Sequence, residues 1–317
     1  MKSAPRRKPA AKCGAKAKEL HIECEHGTVV VHVANPSPSE VSSSWSRARE
    51  VLQTEGLVLL RKLLPQRLVR QARRRLLAEL ADLGVLAESD KAILSDGCLQ
   101  GEVPMPSLLR RLDLQDLPEV RAVLEHAALF DATARLLETD EVVTTCYKWL
   151  RAVPPGAFTG PHMDRAYVGC SEQRLTAWIP LGDVRCGQKE LGSLCWLPGS
   201  HCKPQVVQRF KDYQQAGSDG ERSGWLAADP AALQLPEDCR WESAHFAEGD
   251  VAIFGMDLLH STLPNGSRAF RLSCDTRWQP LDAPPPELPT GPWRAQEPKP
   301  KRRRRGRSDE ATERAQK

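Results

Sequence analysis

His162 and Asp164 are separated by one residue, Met163, in the stretch Gly160-Pro161-His162-Met163-Asp164. On a β-strand the two-residue side-chain period turns the imidazole and the carboxylate to one face and Met163 to the other. A neutral nitrogen and a hard anionic oxygen then converge on one point. A second histidine from elsewhere completes a two-histidine, one-carboxylate face, the arrangement that leaves positions open on a non-haem Fe(II) ion. His260 is the candidate, because it follows the apolar run Val251-Ala252-Ile253-Phe254 by six residues and so falls near the end of a buried strand or just beyond it. Arg271 comes eleven residues after His260, across the turn Pro264-Asn265-Gly266. That reversal returns the chain to the neighbourhood of His260, although a one-residue slip in register would change the face Arg271 occupies.

The elements that must position these residues are mostly short strands. The pattern predicts strands over Glu141–Trp149, Arg174–Pro180, Ser193–Leu197, Val251–Phe254 and Ala269–Trp278, punctuated by Pro154-Pro155-Gly156, Pro198-Gly199-Ser200 and Glu248-Gly249-Asp250. Such punctuation indicates a sandwich or barrel. Ahead of them, Gly56–Leu60 reads as a buried strand. Pro65 then opens a helix whose apolar face carries Leu68, Ala72, Leu76, Leu80 and Leu83, ended by Gly84. A second helix is expected over Pro118–Leu137. Residues 203–246 are polar and weakly periodic, and read as a lid-like insertion between two site strands.

Composition bounds the rest. With 317 residues and a hydrophobic fraction of 40%, the chain can bury a substantial core. Its ten cysteines include no Cys-x-x-Cys pair, which favours reduced thiols in an intracellular compartment. No apolar signal-peptide core stands near the N-terminus, and no run approaches the roughly 18 apolar residues of a membrane span. Residues 1–18 hold seven Lys/Arg and no acid, and residues 299–317 hold nine against three acids, so the net charge of +4 conceals a body of about −9. The basicity lies in the tails. Residues 1–40 are expected to be a mostly disordered basic leader, in which only Thr28–Val33 has strand character, and residues 281–317 a disordered Pro-rich and basic tail. Lys301–Arg305 reads as a nuclear-import signal or a nucleic-acid tether, placing the protein in cytoplasm or nucleus; Pro5 and Pro9 count against an organelle-import helix.

Taken together, His162-x-Asp164, His260, Arg271, Leu191-Gly192-Ser193-Leu194, Pro198-Gly199-Ser200-His201 and Arg271–Pro280 resemble the phytanoyl-CoA dioxygenase family of Fe(II)- and 2-oxoglutarate-dependent oxygenases. The match runs over about residues 45–280, within a domain drawn at 41–280. The resemblance implies a mainly β protein with flanking helices, built on a double-stranded β-helix of jelly-roll, cupin-like form, with His260 and Arg271 on opposing sheets. It implies that His162, Asp164 and His260 bind Fe(II), that 2-oxoglutarate and O2 are co-substrates, and that Arg271 takes the distal carboxylate. A planar guanidinium suits that task because it offers a two-pronged, charge-assisted bond that lysine cannot reproduce. Trp178 and Thr262 match positions lining the co-substrate in relatives, with Lys148 a looser candidate. The implied reaction hydroxylates a C–H bond of a small molecule, an acyl-CoA or another lipid-like compound.

Two rival readings stand beside it. Arg271 and Arg277, six apart, superficially resemble the paired arginines of the AlkB demethylase family, and the basic tails would tether a nucleic-acid or chromatin oxygenase. The acidic body opposes a phosphate-binding surface around the site. The other reading is a catalytically silent β-helix that binds a ligand or partner. Cys195, His201 and Cys202 lack a suitably spaced fourth ligand for zinc, and His201 reads as a loop residue.

Overall fold

A computed structural model of the chain describes residues 18–33, 37, 39–41, 44–84, 86, 111–169, 171–210, 224–284 and 293–296. The basic clusters of both tails, apart from Lys18, and the centre of the expected insertion, 211–223, lie outside the described residues. In chain order the elements begin with strands β1 (Lys18–Cys24) and β2 (Gly27–Val33), helix α1 (Trp45–Glu55), β3 (Leu57–Leu60) and helix α2 (Gln66–Asp82). Three helices follow, α3 (Leu112–Gln115), α4 (Pro118–Leu124) and α5 (Ala127–Leu137), then β4 (Val142–Thr145) and β5 (Trp149–Val153). The second half holds α6 (Arg165–Val168), β6 (Leu175–Pro180), β7 (Leu194–Trp196), α7 (Pro204–Arg209), β8 (Trp241–Ser243), β9 (Val251–Gly255), β10 (His260–Thr262), β11 (Arg271–Pro280) and β12 (Trp293–Ala295).

The strands form two sheets facing each other. The smaller runs β1-β2-β8-β7-β10, antiparallel except for the β2–β8 pair; the larger runs β12-β4-β11-β6-β9-β3, with β5 also paired to β11. This mainly β, helix-flanked sandwich is the expected jelly-roll form, and it places His260 and Arg271 on opposing sheets. Among the described residues, no helix is long and apolar enough to cross a membrane.

Side-chain alternation explains both faces of the larger sheet. Val58 and Leu60, Val251 and Ile253, and Leu272, Cys274 and Trp278 turn outward to pack with α2, α4 and α5. Leu57, Leu59, Trp178, Ala252 and Phe254 turn inward against Leu194, Trp196 and Phe246. All ten residues of β11 are buried, so its alternate set, Arg271, Ser273, Asp275 and Arg277, brings charge into the interior. Burial of that kind demands partners, and the site is where they are found.

Several expectations change. The helix drawn over 118–137 is broken: Glu125 leaves helical geometry and His126 is extended, its Nδ1 accepting from Ala128 N–H as the cap of α5. The strand expected over 141–149 ends at Thr145 as β4, and its last residue, Trp149, opens β5. Residues 18–33 form a hairpin whose second strand lies parallel to β8, burying Val29, Val31 and Val33, so the folded body starts well before residue 41. At the other end Trp293–Ala295 adds an edge strand to β4, and Arg294 pairs with Asp116 and Glu125.

Candidate active site

Asp164 does not sit on a strand. It has helical dihedrals (φ −63°, ψ −23°) and opens α6, while His162 forms a two-bond bridge with His260 (His162 N–H to His260 O, 2.9 Å; His260 N–H to His162 O, 3.0 Å). The bridge, rather than strand alternation, brings the residues together. Met163 still turns away, into the cluster behind the smaller sheet. One donor atom from each of His162, Asp164 and His260 lies within 4.8 Å of the others, and all three residues are buried.

The hydrogen bonds fix which atoms face that point. Each Nδ1 lies against a backbone carbonyl two residues upstream, His162 with Gly160 at 2.7 Å and His260 with Leu258 at 2.9 Å. A carbonyl only accepts, so both Nδ1 atoms carry the proton and both Nε2 atoms present lone pairs. These face Asp164 Oδ1 at 3.7 and 3.9 Å. The other carboxylate oxygen, Oδ2, accepts from the Thr176 hydroxyl at 2.5 Å, and Oδ1 also accepts from Arg277 Nη2 at 3.0 Å. Burial opposes ionisation of Asp164, but the Arg277 guanidinium and the two histidines outweigh it and hold the carboxyl well below its usual range. Burial, then neighbouring His162, pushes His260 down to about 4 against the pull of Asp164, so the imidazole is neutral at pH 7. Two imidazole nitrogens and one anionic oxygen, each oriented by a hydrogen bond on its far side, form a donor set that fits Fe(II).

Beside this point lies a pocket lined by Arg151, Trp178, Leu194, Thr262, Arg271 and Asp275 together with His162 and His260. Arg271 is completely buried. Its Nη1 donates to the Gly192 carbonyl, while Nε and Nη2 have no partner among the described residues. Those two N–H groups lie on one edge of the planar guanidinium, the spacing that receives both oxygens of a carboxylate. Burial, then the neighbouring Arg151, pushes the Arg271 pKa down to about 9, so its charge is retained at neutral pH yet gains from an incoming anion. The Thr262 hydroxyl accepts from Thr159 N–H at 2.8 Å, which leaves its own proton to donate.

Lys148 is a correction. Its Nζ bonds Thr144 at 2.8 Å and pairs with Glu125 at 3.3 Å, on the helix side of the sheet. β5 pairs Arg151 with Ser273 and Leu150 with Cys274, so odd-numbered residues face the pocket and Lys148 takes the opposite face. The pocket cation is Arg151, whose Nε donates to Asp275 at 3.1 Å. Arg151, Asp275 and Thr176 were not singled out in the sequence; alternation with Arg271 and Trp178 was the signal that could have found them. Arg277 is buried against Asp164 rather than displayed to a phosphate backbone. His201 bonds Gln53 O through Nε2 at 2.9 Å, as a loop residue does.

A cupin-like double sheet with two histidines and one carboxylate at its interior, beside a buried arginine, defines the 2-oxoglutarate oxygenase class. Among solved structures, AviO1 from Streptomyces viridochromogenes Tue57 is similar with a TM-score of 0.50 and 19% identity, covering 77% of this chain and 98% of that one. The epimerase SnoN, in complex with Fe3+, alpha ketoglutarate and nogalamycin RO, has a TM-score of 0.50 and 18% identity, covering 78% and 87%. A 1-deoxypentalenic acid 11-beta-hydroxylase of Streptomyces arenae is 28% identical over 242 residues, 72% of this chain and 78% of that protein. The phytanoyl-CoA dioxygenase (PhyH) model matches residues 52–273, and the chain belongs to that family. It is a 2-oxoglutarate-dependent oxygenase whose cofactors are Fe(II) and 2-oxoglutarate.

Proposed function

We propose that the protein hydroxylates a C–H bond of a small, lipid-like molecule, with His162, Asp164 and His260 holding Fe(II) and Arg271 holding the distal carboxylate of 2-oxoglutarate. The observation that carries this reading is the convergence of two Nε2 lone pairs and one carboxylate oxygen at a buried point, with both Nδ1 protons already committed to carbonyls. Bound Fe(II) supplies O2 activation, with 2-oxoglutarate leaving as succinate and CO2 and one oxygen atom entering the substrate. The chain's own residues bind, orient and exclude water. Asp164 supplies the negative charge of the donor set, and Thr176 ties up Oδ2 so that Oδ1 is the oxygen presented. Trp178 and Leu194 wall the pocket, and the Thr262 hydroxyl proton is placed to assist Arg271 at the distal carboxylate. The similar Streptomyces arenae protein is named for a small organic acid, which supports a small-molecule substrate over a macromolecular one. Acyl thioesters such as acyl-CoA and free acids both fall within the class.

The test is succinate formation. Protein reconstituted anaerobically with Fe(II) is exposed to O2 and 2-oxoglutarate, in wild type and Asp164→Ala. Slow succinate release by wild type and none by the variant is expected. A wild-type protein that binds neither Fe(II) nor 2-oxoglutarate overturns the assignment.

A further inference from the structure

Three arginines reach the interior of this site, and their surroundings differ. Arg271 is sealed, and the edge carrying its free Nε–H and Nη2–H matches one carboxylate. Arg277 is equally enclosed: its Nη2 pairs with Asp164 at 3.0 Å, the Trp149 ring covers its face at 4.4 Å, and its Nε and Nη1 are buried without a hydrogen-bond partner among the described residues, with no route by which an anion reaches them. Arg151 is the third. β5 carries it on the same face as Val153 and Trp149, opposite Ser273, the second position of the row Arg271, Ser273, Asp275, Arg277 on β11. Its side chain keeps 22% exposure, its Nε is bonded to Asp275, and its two Nη groups have no partner among the described residues. It lines the same pocket as His162 and His260, which puts it in reach of the metal end.

Charge separates the tasks of the three. With Fe(II) in place, three guanidiniums and the two carboxylates of Asp164 and Asp275 leave an excess of three positive charges. The dianionic co-substrate cancels two. An uncompensated buried cation is costly, so a further anion is favoured, and the guanidinium left to receive it is the one with a path to solvent. Aromatic rings stand on the same side of the sheet: Trp149, two residues before Arg151 on one face of β5, stacks on Arg277 at 4.4 Å with Tyr147 edge-on at 4.7 Å, and the Tyr167 ring stands 5.5 Å from His162.

We propose that Arg151, held by Asp275, anchors a carboxylate of the primary substrate, so that the molecule hydroxylated is a free organic acid with an apolar body lying against Trp149 and Tyr167. The proposal rests on the oxygenase reading of the same site. It selects free acids over neutral or thioester-masked equivalents.

The test uses Co(II) in place of iron, so that nothing turns over, on the full chain loaded with 2-oxoglutarate. Decanoate and decanamide, which share an apolar body and differ in charge, are titrated while tryptophan fluorescence and Co(II) absorption are followed. Wild type is expected to bind decanoate about ten-fold or more tightly than decanamide, the loss of one charge-assisted bond. In Arg151→Met/Asp275→Asn, which removes the pair without changing net charge, that preference is expected to fall to within about two-fold. Should the double variant fail to bind Co(II), Arg151→Lys is used, and a preference weakened several-fold is expected. The proposal is overturned if wild type shows no preference for the carboxylate, or if the preference survives in the variant that is read. It is also overturned if the double variant keeps Co(II) but loses 2-oxoglutarate affinity ten-fold, because Arg151 then serves the co-substrate. A wild type that binds neither Co(II) nor 2-oxoglutarate refutes the oxygenase reading itself, a different and recognisable failure.

Discussion

Replacing Arg271 with lysine keeps a positive charge and removes the fork. In the folded protein Nη1 of Arg271 is held by Gly192 O, which sets the plane of the guanidinium and leaves Nε–H and Nη2–H parallel on one edge. A carboxylate received there makes two charge-assisted hydrogen bonds, and the lysine ammonium offers one in their place. The loss is about 1.5–3 kcal/mol, which corresponds to a rise of roughly 10–150-fold in the KM for 2-oxoglutarate. The donor set lies elsewhere, so Fe(II) affinity is expected to change by less than about three-fold, half a kcal/mol or so. Succinate formation at saturating Fe(II) gives the KM, and anaerobic titration of the Fe(II)-loaded protein gives the affinity for 2-oxoglutarate directly. Lys148→Met is the control: that ammonium lies on the opposite face of the sheet, so the 2-oxoglutarate KM is expected to stay at the wild-type value. A KM within two-fold of wild type in Arg271→Lys, or a parallel collapse of Fe(II) affinity, would refute the reasoning.

Three further outcomes follow from the same geometry. Thr176→Val removes the 2.5 Å bond that restrains Asp164 Oδ2 and is expected to weaken metal binding roughly 10–100-fold, measured by competition with a chelator. Gly192→Ala places a Cβ at φ +79° against the Leu263 carbonyl oxygen. That substitution should cost roughly 2–4 kcal/mol, lowering Tm by roughly 5–15 °C and raising the 2-oxoglutarate KM because the carbonyl that holds Arg271 shifts. The stability of the metal-free protein depends on pH through His260, whose pKa falls to about 4 on folding. Between the ordinary histidine value and pH 4 the unfolded chain binds a proton that the folded chain does not, so this contribution is present at neutral pH and is lost as pH falls, by at most about 3 kcal/mol. Glu242, raised to about 7 by burial and then by Glu55, acts with the opposite sign. The check is therefore the difference in urea midpoint between wild type and His260→Leu, which should shrink from pH 7 to pH 4.5; a constant difference counts against the assignment.

Parts of the fold were legible because the local pattern carries them. The apolar face of α2 and the runs that became β3, β6, β7 and β9 announce themselves through periodicity and turn residues. The hairpin of β1 and β2 was only half legible. Val29, Val31 and Val33 show alternation, whereas β1, with four charged or histidine positions among its seven, reads as solvated chain until β2 docks beside β8. The break at His126 was hidden because its apolar flanks satisfy one long helix as well as two short ones. Its ring ends the matter by capping α5.

At the site the division is sharper. Residue type and spacing were enough to single out His162, Asp164, His260 and Arg271, because few other jobs ask for a His-x-Asp pair together with a later histidine and an arginine eleven residues beyond it. The path by which they meet was not encoded in that spacing: Asp164 is helical, and the bridge between His162 and His260 joins residues 98 apart in sequence. Lys148 and Arg151 illustrate what remained open. Lys148 stands just before β5 and Arg151 within it, and which of them enters the pocket depends on the register between β5 and β11, a pairing of segments more than a hundred residues apart. Local sequence determined that this chain carries two histidines, a carboxylate and an arginine of the types such a site needs. Tertiary structure decided the face each one occupies, because strand register is set by the packing of whole sheets, and a shift of a single residue exchanges every inward side chain for its neighbour.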